Sequence, residues 1–187
     1  MVRAGSLEKG MAILIKGEPY VIVEREFVNP GKGSAFVRTK LKNPTSGQVL
    51  RETMKTQDQV EEIVVEDNDC QYLYADDENY HFMDLDTYEQ FEVPVKTFED
   101  YRYLVKEGET YTLVMWEHRP LDIKIPYKVV YVVTKAEDAV KGDTVTGATK
   151  IVEVETGLKV KVPIFIKEGE KILVNTETKE YVERVNS

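Results

Sequence analysis

The sequence predicts an all-β protein made of three small β-barrels, an SH3-like module followed by two OB-like modules. β-Branched and aromatic residues alternate with polar residues over short segments, which is typical of half-buried strands. Turn residues such as Gly17-Glu18-Pro19 and Asn43-Pro44-Thr45-Ser46-Gly47 separate these segments at short intervals. About five such segments in each stretch of roughly 60 residues are typical of small barrels.

Residues 1–64 form the predicted SH3-like module. Its strands are expected at residues 11–16, 20–28, 35–42, 49–55 and 60–64. Between the second and third strands lies a loop in which Pro30 presets one turn dihedral, and Gly31 and Gly33 tolerate a positive φ. Lys32 is the only long side chain on this thin tip, so it can enter a narrow site or meet a modifying enzyme. The alternative is an ordinary solvated turn.

The strand that leaves this loop carries a predicted cationic stripe. Alternate residues of a strand point to opposite faces. One face therefore carries Ala35, Val37, Thr39 and Leu41, and the other carries Phe36, Arg38, Lys40 and Lys42. The second set has two interpretations, a solvated face or a surface that contacts nucleic-acid phosphates and orients the loop.

Residues 65–126 and 127–187 form the two predicted OB-like modules. Strands are expected at residues 71–75, 80–83, 89–93, 110–116 and 121–125, and then at 128–134, 151–155, 159–163, 171–175 and 181–185. One short helix is expected at residues 97–106, because Phe98, Tyr101 and Leu104 recur at helical spacing. The middle module contains many aromatic residues: Tyr72, Tyr74, Tyr80, Phe82, Tyr88 and Phe91. Such residues can stack on nucleic-acid bases, but core packing is favoured here because the surrounding carboxylates would repel phosphate. Modules this small bury little surface alone, so the first two are expected to pack together.

The net charge of −9 is unevenly distributed along the chain. The three modules carry net charges of +2, −11 and 0, with 10 basic and 8 acidic residues in the first, 5 and 16 in the second, and 10 and 10 in the third. Nonspecific affinity for nucleic acid comes mostly from cations that displace counterions. The protein is therefore not expected to coat bare nucleic acid, and any RNA contact should begin at the first module.

Few residues suggest a chemical site. The two histidines, His81 and His118, have no cysteine or histidine at metal-ligand spacing, so no metal or other cofactor is predicted. An exposed Lys32 is not desolvated as a covalent catalytic amine needs to be. Cys70 is the only cysteine and follows an acidic run, which favours a structural thiol in a reducing compartment. The chain is predicted to be no enzyme, and the apolar run 11–15 is too short for a signal peptide or a membrane span.

Several motifs in fixed order resemble bacterial elongation factor P over essentially the whole chain. They are Gly17-Glu18-Pro19-Tyr20, Glu26-Phe27-Val28, Pro30-Gly31-Lys32-Gly33, Ala35-Phe36, Lys40-Leu41-Lys42-Asn43, Tyr72-Leu73-Tyr74, His81-Phe82-Met83, Lys141-Gly142-Asp143-Thr144, the signature running from Lys150 to Gly169, and Tyr181-Val182 before Arg184. The resemblance implies an SH3-like domain and two OB domains arranged in an L similar in outline to tRNA. It also implies a cytoplasmic monomer that binds both ribosomal subunits between the peptidyl-tRNA and exit sites, when synthesis stalls on consecutive prolines.

The resemblance assigns roles residue by residue. Lys32 matches the loop-tip position that reaches the CCA end of the peptidyl-tRNA and is commonly extended by a lysine-modifying enzyme. Gly142, Asp143 and Thr144 match the loop that approaches the exit-site mRNA codon. Tyr181 and Arg184 match positions that face the small subunit and the anticodon stem. Two alternatives remain open: a paralogue with a different ribosomal role, against which Pro30 and Lys32 count, and a general OB-fold protein that binds single-stranded RNA.

Overall fold

The computed structural model of the protein describes residues 1–137 and 147–186. These residues form three antiparallel sheets, and the only helical elements among them are two 3₁₀ turns, Ala4–Ser6 and Glu99–Tyr101. The prediction of an all-β protein is therefore confirmed. In this part of the chain, no helix is long and apolar enough to cross a membrane.

The first sheet has six antiparallel strands. Its strands are β1 (Val2–Arg3), β2 (Ala12–Ile15), β3 (Glu18–Val28), β4 (Phe36–Lys42), β5 (Val49–Lys55) and β6 (Gln59–Glu62), in the order β1-β6-β2-β3-β4-β5. The Ala4 N–H donates to the Asp58 carbonyl at 2.8 Å and the Gly5 N–H donates to the Thr56 carbonyl at 3.0 Å. These bonds join the start of the chain to the end of β5. A Cβ at Gly5 would lie 3.2 Å from Thr56, so glycine permits this close approach.

Asn43 fixes the register between β4 and β5. Its buried side-chain oxygen accepts hydrogen bonds from the N–H groups of Thr45 at 2.9 Å and Ser46 at 3.1 Å. Gly47 completes the turn with a φ of 75° and donates its N–H to the Asn43 carbonyl. An Asx turn of this kind specifies where the second strand begins. It therefore decides which residues of β5 lie opposite each residue of β4.

The middle sheet has five strands around an aromatic core. They are β7 (Glu66–Ala75), β8 (Asn79–Asp84), β9 (Gln90–Pro94), β10 (Thr110–Trp116) and β11 (Arg119–Lys124), in the order β11-β10-β7-β8-β9. Tyr72, Tyr80 and Phe82 are buried, as predicted, and the Tyr80 hydroxyl donates to the Phe98 carbonyl at 2.7 Å. The prediction is wrong for Tyr74 and Tyr88, which are 49% and 71% exposed. Tyr88 has a φ of 60° and lies in the turn before β9, outside the strands that line the core.

The third sheet repeats the connectivity of the second. Its strands are β12 (Lys128–Ala136), β13 (Thr149–Val154), β14 (Lys159–Pro163), β15 (Lys171–Asn175) and β16 (Glu180–Val185), in the order β14-β13-β12-β15-β16. In both sheets the first strand is central and pairs with the second and fourth strands. Shared connectivity and strand number agree with the prediction of two modules of the same OB-like fold.

The prediction of a helix at residues 97–106 is wrong. Only Glu99–Tyr101 forms a 3₁₀ turn, because the apolar residues that suggested a helix do not share one face. Phe98 packs on Tyr80 and Phe82, with ring centroids 6.0 and 6.4 Å away. Leu104 instead joins the core of the last sheet, and its carbonyl accepts a 2.6 Å hydrogen bond from the Tyr131 hydroxyl. The helical spacing therefore arises because one segment contributes side chains to two separate cores.

Two compact units result from these contacts. One contains residues Met1–Glu99 and Gly108–Lys124, and the other contains Asp100–Glu107 and Ile125–Ser187. Within the first unit, a cluster of buried residues joins the first two sheets: Ala12, Val21 and Ile63 with Leu121 of β11. The domain boundaries near residues 64 and 126 stay predictions, and they lie in the intervals between the sheets.

Cys70 is fully buried in the middle sheet. Burial, followed by the nearby carboxylates of Asp84, Asp69 and Asp86, raises the pKa of the Cys70 thiol to about 12. A thiol of this kind stays protonated at neutral pH and is a poor nucleophile. The interpretation of Cys70 as a structural residue is therefore supported.

Candidate functional site

Lys32 lies at the tip of the loop that joins β3 to β4. Its side chain is exposed and has no hydrogen bond or ion pair with any residue in the described part of the chain. The base of the loop is fixed on two sides. Val28 pairs with Phe36 at the end of the β3–β4 ladder, and the Thr56 N–H donates to the Ala35 carbonyl at 3.2 Å. An exposed cation is thus presented on a loop with a fixed base.

The two glycines beside Lys32 have different backbone conformations. Gly33 has a φ of 109°, which side-chain-bearing residues rarely adopt, so glycine is needed there. Gly31 does not have a positive φ, so it does not use the conformational freedom that glycine offers there. A Cβ built at either position would meet no atom within 4 Å. Gly31 therefore keeps the tip thin without being required by the packing of the protein.

The β4 strand turns its residues to opposite faces as predicted. Val37, Thr39 and Leu41 are buried, whereas Arg38 is exposed and Lys40 is half-buried. The Arg38 guanidinium lies 5.4 Å from the centre of the Phe36 ring. The stripe of Phe36, Arg38, Lys40 and Lys42 is therefore a continuous outward surface that begins at the base of the Lys32 loop.

Two carboxylates on β3 form ion pairs with residues of this stripe. Arg38 pairs with Glu26 at 3.9 Å and Lys40 pairs with Glu24 at 3.6 Å. Burial raises the pKa of the Asp122 carboxyl above its ordinary value, and the hydrogen bond from the Ile123 N–H and the nearby charge of Lys42 oppose this rise. Exposed ion pairs contribute only about 0–1 kcal/mol. Arg38 and Lys40 can therefore exchange their glutamates for another anion at little cost.

The outward face continues onto β5. Strand β5 was predicted from the sequence, but its place beside the β4 stripe was not. Leu50 and Met54 pack against the core of the first sheet, so the alternate residues Arg51, Thr53 and Lys55 face outward. Arg51 pairs with Lys40 across the ladder and Lys55 pairs with Phe36. The alternation of Leu50 and Met54 with cations was visible in the sequence. The register that brings those cations beside the stripe was not.

The third sheet carries two further predicted residues. Tyr181 lies opposite Val174, and Arg184 lies opposite Ile172. Two residues three apart on a strand ordinarily face opposite sides. The register shift between Leu173 and Val174 adds a residue on β16 and so places Tyr181 and Arg184 on one face.

The surroundings of these two side chains differ. Tyr181 is half-buried and packs on the core of its sheet. Arg184 is exposed, pairs with Glu170 at 3.6 Å and covers the Phe165 ring at 5.3 Å. The third predicted group, Gly142, Asp143 and Thr144, lies outside the described residues.

His81 belongs to a polar cluster on the middle sheet. Its Nε2 lies 2.8 Å from Asp76, and its ring stacks on Tyr74 with centroids 4.1 Å apart. The hydrogen bond with His81, followed by those from the N–H groups of Asn79 and Glu78, lowers the pKa of Asp76 to about 2. These contacts hold together the hairpin of β7 and β8. Among the residues described, no group of three or more acidic, histidine or cysteine side chains could hold a metal ion.

Comparison with known domain families covers most of the chain. Residues 3–60 match the elongation factor P (EF-P) KOW-like domain, residues 65–123 match the elongation factor P (EF-P) OB domain, and residues 129–184 match the family described as elongation factor P, C-terminal. A solved structure described as eukaryotic translation initiation factor 5A from Methanococcus jannaschii is 26% identical, covers 66% of this chain and 90% of that one, and has a TM-score of 0.48.

Curated relatives are similar from end to end. Elongation factor P of Treponema denticola is 53% identical over 187 residues, which is 100% of both chains. Elongation factor P of Treponema pallidum is 52% identical over 186 residues, again 100% of both. Elongation factor P of Borrelia hermsii is 52% identical over 189 residues, covering 98% of this chain and 97% of that one. Full-length identity of this level and three matching domains, which confirm the resemblance seen in the sequence, show that the chain belongs to the elongation factor P family of translation elongation factors.

Proposed function

We propose that the protein binds the ribosome between the peptidyl-tRNA and exit sites and promotes peptide-bond formation at stalled proline runs. It acts there as a cytoplasmic monomer. The observation that carries the proposal is the exposed Lys32, which has no partner among the described residues and lies on a thin loop with a fixed base, in a chain of a translation factor family. Only the backbone and one long cation need to enter the reaction centre. The loop can therefore reach the CCA end of a bound peptidyl-tRNA.

The proposed mechanism is positional and assigns no chemical step to the protein. Proline is a rigid and poor nucleophile, so peptide transfer to it depends strongly on the alignment of the two substrates. A misplacement of about 1 Å can cost about a hundredfold in rate. The cation of Lys32 against the tRNA backbone restores the near-attack geometry, while Pro30, Gly31 and Gly33 support the loop.

The proposal also assigns contacts to other parts of the protein. Arg38, Lys40 and Lys42 contact the tRNA backbone beside the loop. Tyr181 and Arg184 face the small subunit and the anticodon stem. The loop containing Gly142, Asp143 and Thr144 approaches the mRNA codon in the exit site.

Lys32 is also the proposed acceptor for a lysine-modifying enzyme. Its amine is exposed, and the adjacent glycines leave both flanks of the tip open. A group added there lengthens the side chain without disturbing any contact within the described residues. An intact-mass spectrum of the protein from its native cell, followed by peptide mapping, is expected to place an added mass on Lys32. A native mass equal to the sequence mass would contradict this part of the proposal.

The function is tested by translation in a purified system. Messages with and without three consecutive prolines are translated in the presence and absence of the protein. The expected result is faster synthesis of the proline message alone. Equal effects on both messages would favour the alternative of a different ribosomal role. Strong, salt-sensitive binding to bare RNA would favour the general RNA-binding alternative.

The phosphate-contact role of the β4 stripe predicts a specific change in salt dependence. Lys40→Glu is expected to weaken ribosome binding and to flatten the dependence of affinity on salt, because a phosphate contact is lost. Glu78→Lys in the acidic middle sheet changes the net charge by the same two units in the opposite direction and is expected to leave that slope nearly unchanged. Equal slopes for both variants and the unsubstituted protein would show that the stripe is only a solvated face.

A further inference from the structure

The outward face of β3, β4 and β5 has more cations than carboxylates. The cations on it are Arg38, Lys40, Lys42, Arg51 and Lys55, and the β3 carboxylates beside them are Glu24 and Glu26. Both glutamates are already paired, one with Lys40 and one with Arg38. Neither Arg51 nor Lys55 has an ion-pair partner anywhere in the described ranges. Lys42 interacts with the Asp122 carboxyl. Asp58 accepts a 2.9 Å hydrogen bond from the backbone N–H of Lys55 without forming an ion pair with its amine. Within the described residues, the cations of this face that lack a paired carboxylate are therefore mainly those of β5.

Arg51 lies directly opposite another cation, Lys40. Residues opposite each other in an antiparallel pair have Cα atoms about 4.5–5.5 Å apart, and like charges in such a pair are destabilising. Glu52, the adjacent carboxylate on β5, cannot relieve this repulsion from the same side. It lies opposite the buried Thr39 and belongs to the other face. Glu24 already offsets the charge of Lys40 through their 3.6 Å ion pair. The charge that remains without a partner here is that of Arg51, which an anion from outside the protein would neutralise.

Lys55 lies at the other end of the same strand, beside the base of the Lys32 loop. It pairs with Phe36, and the next residue, Thr56, donates its N–H to the Ala35 carbonyl at 3.2 Å. Lys55 lies four positions after Arg51 on the strand, which corresponds to about 13 Å at about 3.3 Å per residue. The two cations therefore form a second row that runs alongside β4 and ends where the loop begins.

We propose that Arg51 and Lys55 bind phosphate groups of the tRNA whose CCA end the Lys32 loop contacts, so that the tRNA-binding surface spans two strands. This inference rests on the proposed function. Both cations lie on one outward face, and neither forms an ion pair with a carboxylate in the described part of the chain. Arg51 supplies a planar group for bidentate contact with a phosphate, and Lys55 supplies a compact charge. Within the physiological Debye length of about 8 Å, Lys40 adds its field to that of Arg51.

The test is ribosome binding measured over a range of salt concentrations, using ribosomes with peptidyl-tRNA in the peptidyl site. The variants are Arg51→Gln, Lys55→Gln and the double variant. Each substitution is expected to reduce the slope of log affinity against log salt by about one, and the double variant by about two. Lys16→Gln is the matched control, because Lys16 is an exposed lysine in the turn at the opposite end of β3. Arg51→Lys and Lys55→Arg should retain the slope, which a merely structural role of these residues would not predict.

Two results would overturn the inference. One is a double variant with the same slope as Lys16→Gln, and the other is an equally large loss of slope on ribosomes that lack peptidyl-site tRNA. Melting curves show whether the variants remain folded. Translation of the proline message separates this inference from the proposed function. Acceleration by the unsubstituted protein with unchanged slopes in the variants rejects only the β5 contact, whereas reduced slopes without any acceleration reject the proposed function and retain the contact.

Discussion

Replacing Lys32 by alanine is expected to slow synthesis through a proline run by about a hundredfold and to leave the melting temperature unchanged. The rate effect follows from the loss of the only long side chain on the tip, since misalignment of about 1 Å costs about two orders of magnitude in rate. The stability expectation follows from the position of Lys32, which is exposed and has no partner among the described residues. Substitutions at such positions usually change stability by less than about 0.5 kcal/mol.

The measurement combines a melting curve with translation of the proline message. Lys16→Ala is the control, because it removes another exposed lysine from the same sheet at the opposite end of β3. Full activity of Lys32→Ala would contradict the proposed role of the loop. A large fall in its melting temperature would show that Lys32 supports the fold, against the geometry described above.

Leu104→Ala and Phe98→Ala are expected to destabilise different parts of the protein, although only six positions separate them. Each side chain is 2% exposed. Leu104 packs in the core of the third sheet, and its removal should cost about 2–5 kcal/mol. Phe98 packs on Tyr80 and Phe82 in the middle sheet, and its removal should cost about 3–5 kcal/mol.

Hydrogen exchange of backbone amides resolves the two effects. Leu104→Ala should lower protection in β12 and β15, whereas Phe98→Ala should lower it in β7 and β8, because exchange reports the local unit that opens. Each variant serves as the control for the other. The same pattern of lost protection in both variants would contradict the assignment of residues 100–107 to the last unit.

Strands were readily predicted from the sequence, because alternation of apolar and polar residues directly reflects a half-buried sheet. All the predicted strands among the described residues exist, and β5, β10, β14 and β15 match their predicted bounds. The two-residue strand β1 was too short to show any alternation. The predicted helix failed for a different reason. Helical spacing of Phe98, Tyr101 and Leu104 does not reveal that these side chains belong to separate cores.

The candidate site was partly predictable. Local sequence was enough to locate Lys32 and the outward direction of Arg38, because both depend on neighbouring residues only. The ion pairs of Arg38 and Lys40 with Glu26 and Glu24 depend on the register between β3 and β4. The shared face of Tyr181 and Arg184 depends on an extra residue in β16. Pairing between strands joins residues that are distant in the sequence. These ion pairs and shared faces therefore could not be predicted from local patterns in a single sequence.

Because the space around Gly31 is open, substitutions at this position can measure how much room the ribosome leaves for the loop. A side chain placed there touches nothing within 4 Å in the protein, and the backbone does not need glycine's special conformations. A graded series from alanine to valine to leucine should therefore fold alike. The side-chain size at which activity falls would then measure the free space around the loop in its binding site on the ribosome. The fold leaves this position unconstrained, so its tolerance is decided entirely by the partner.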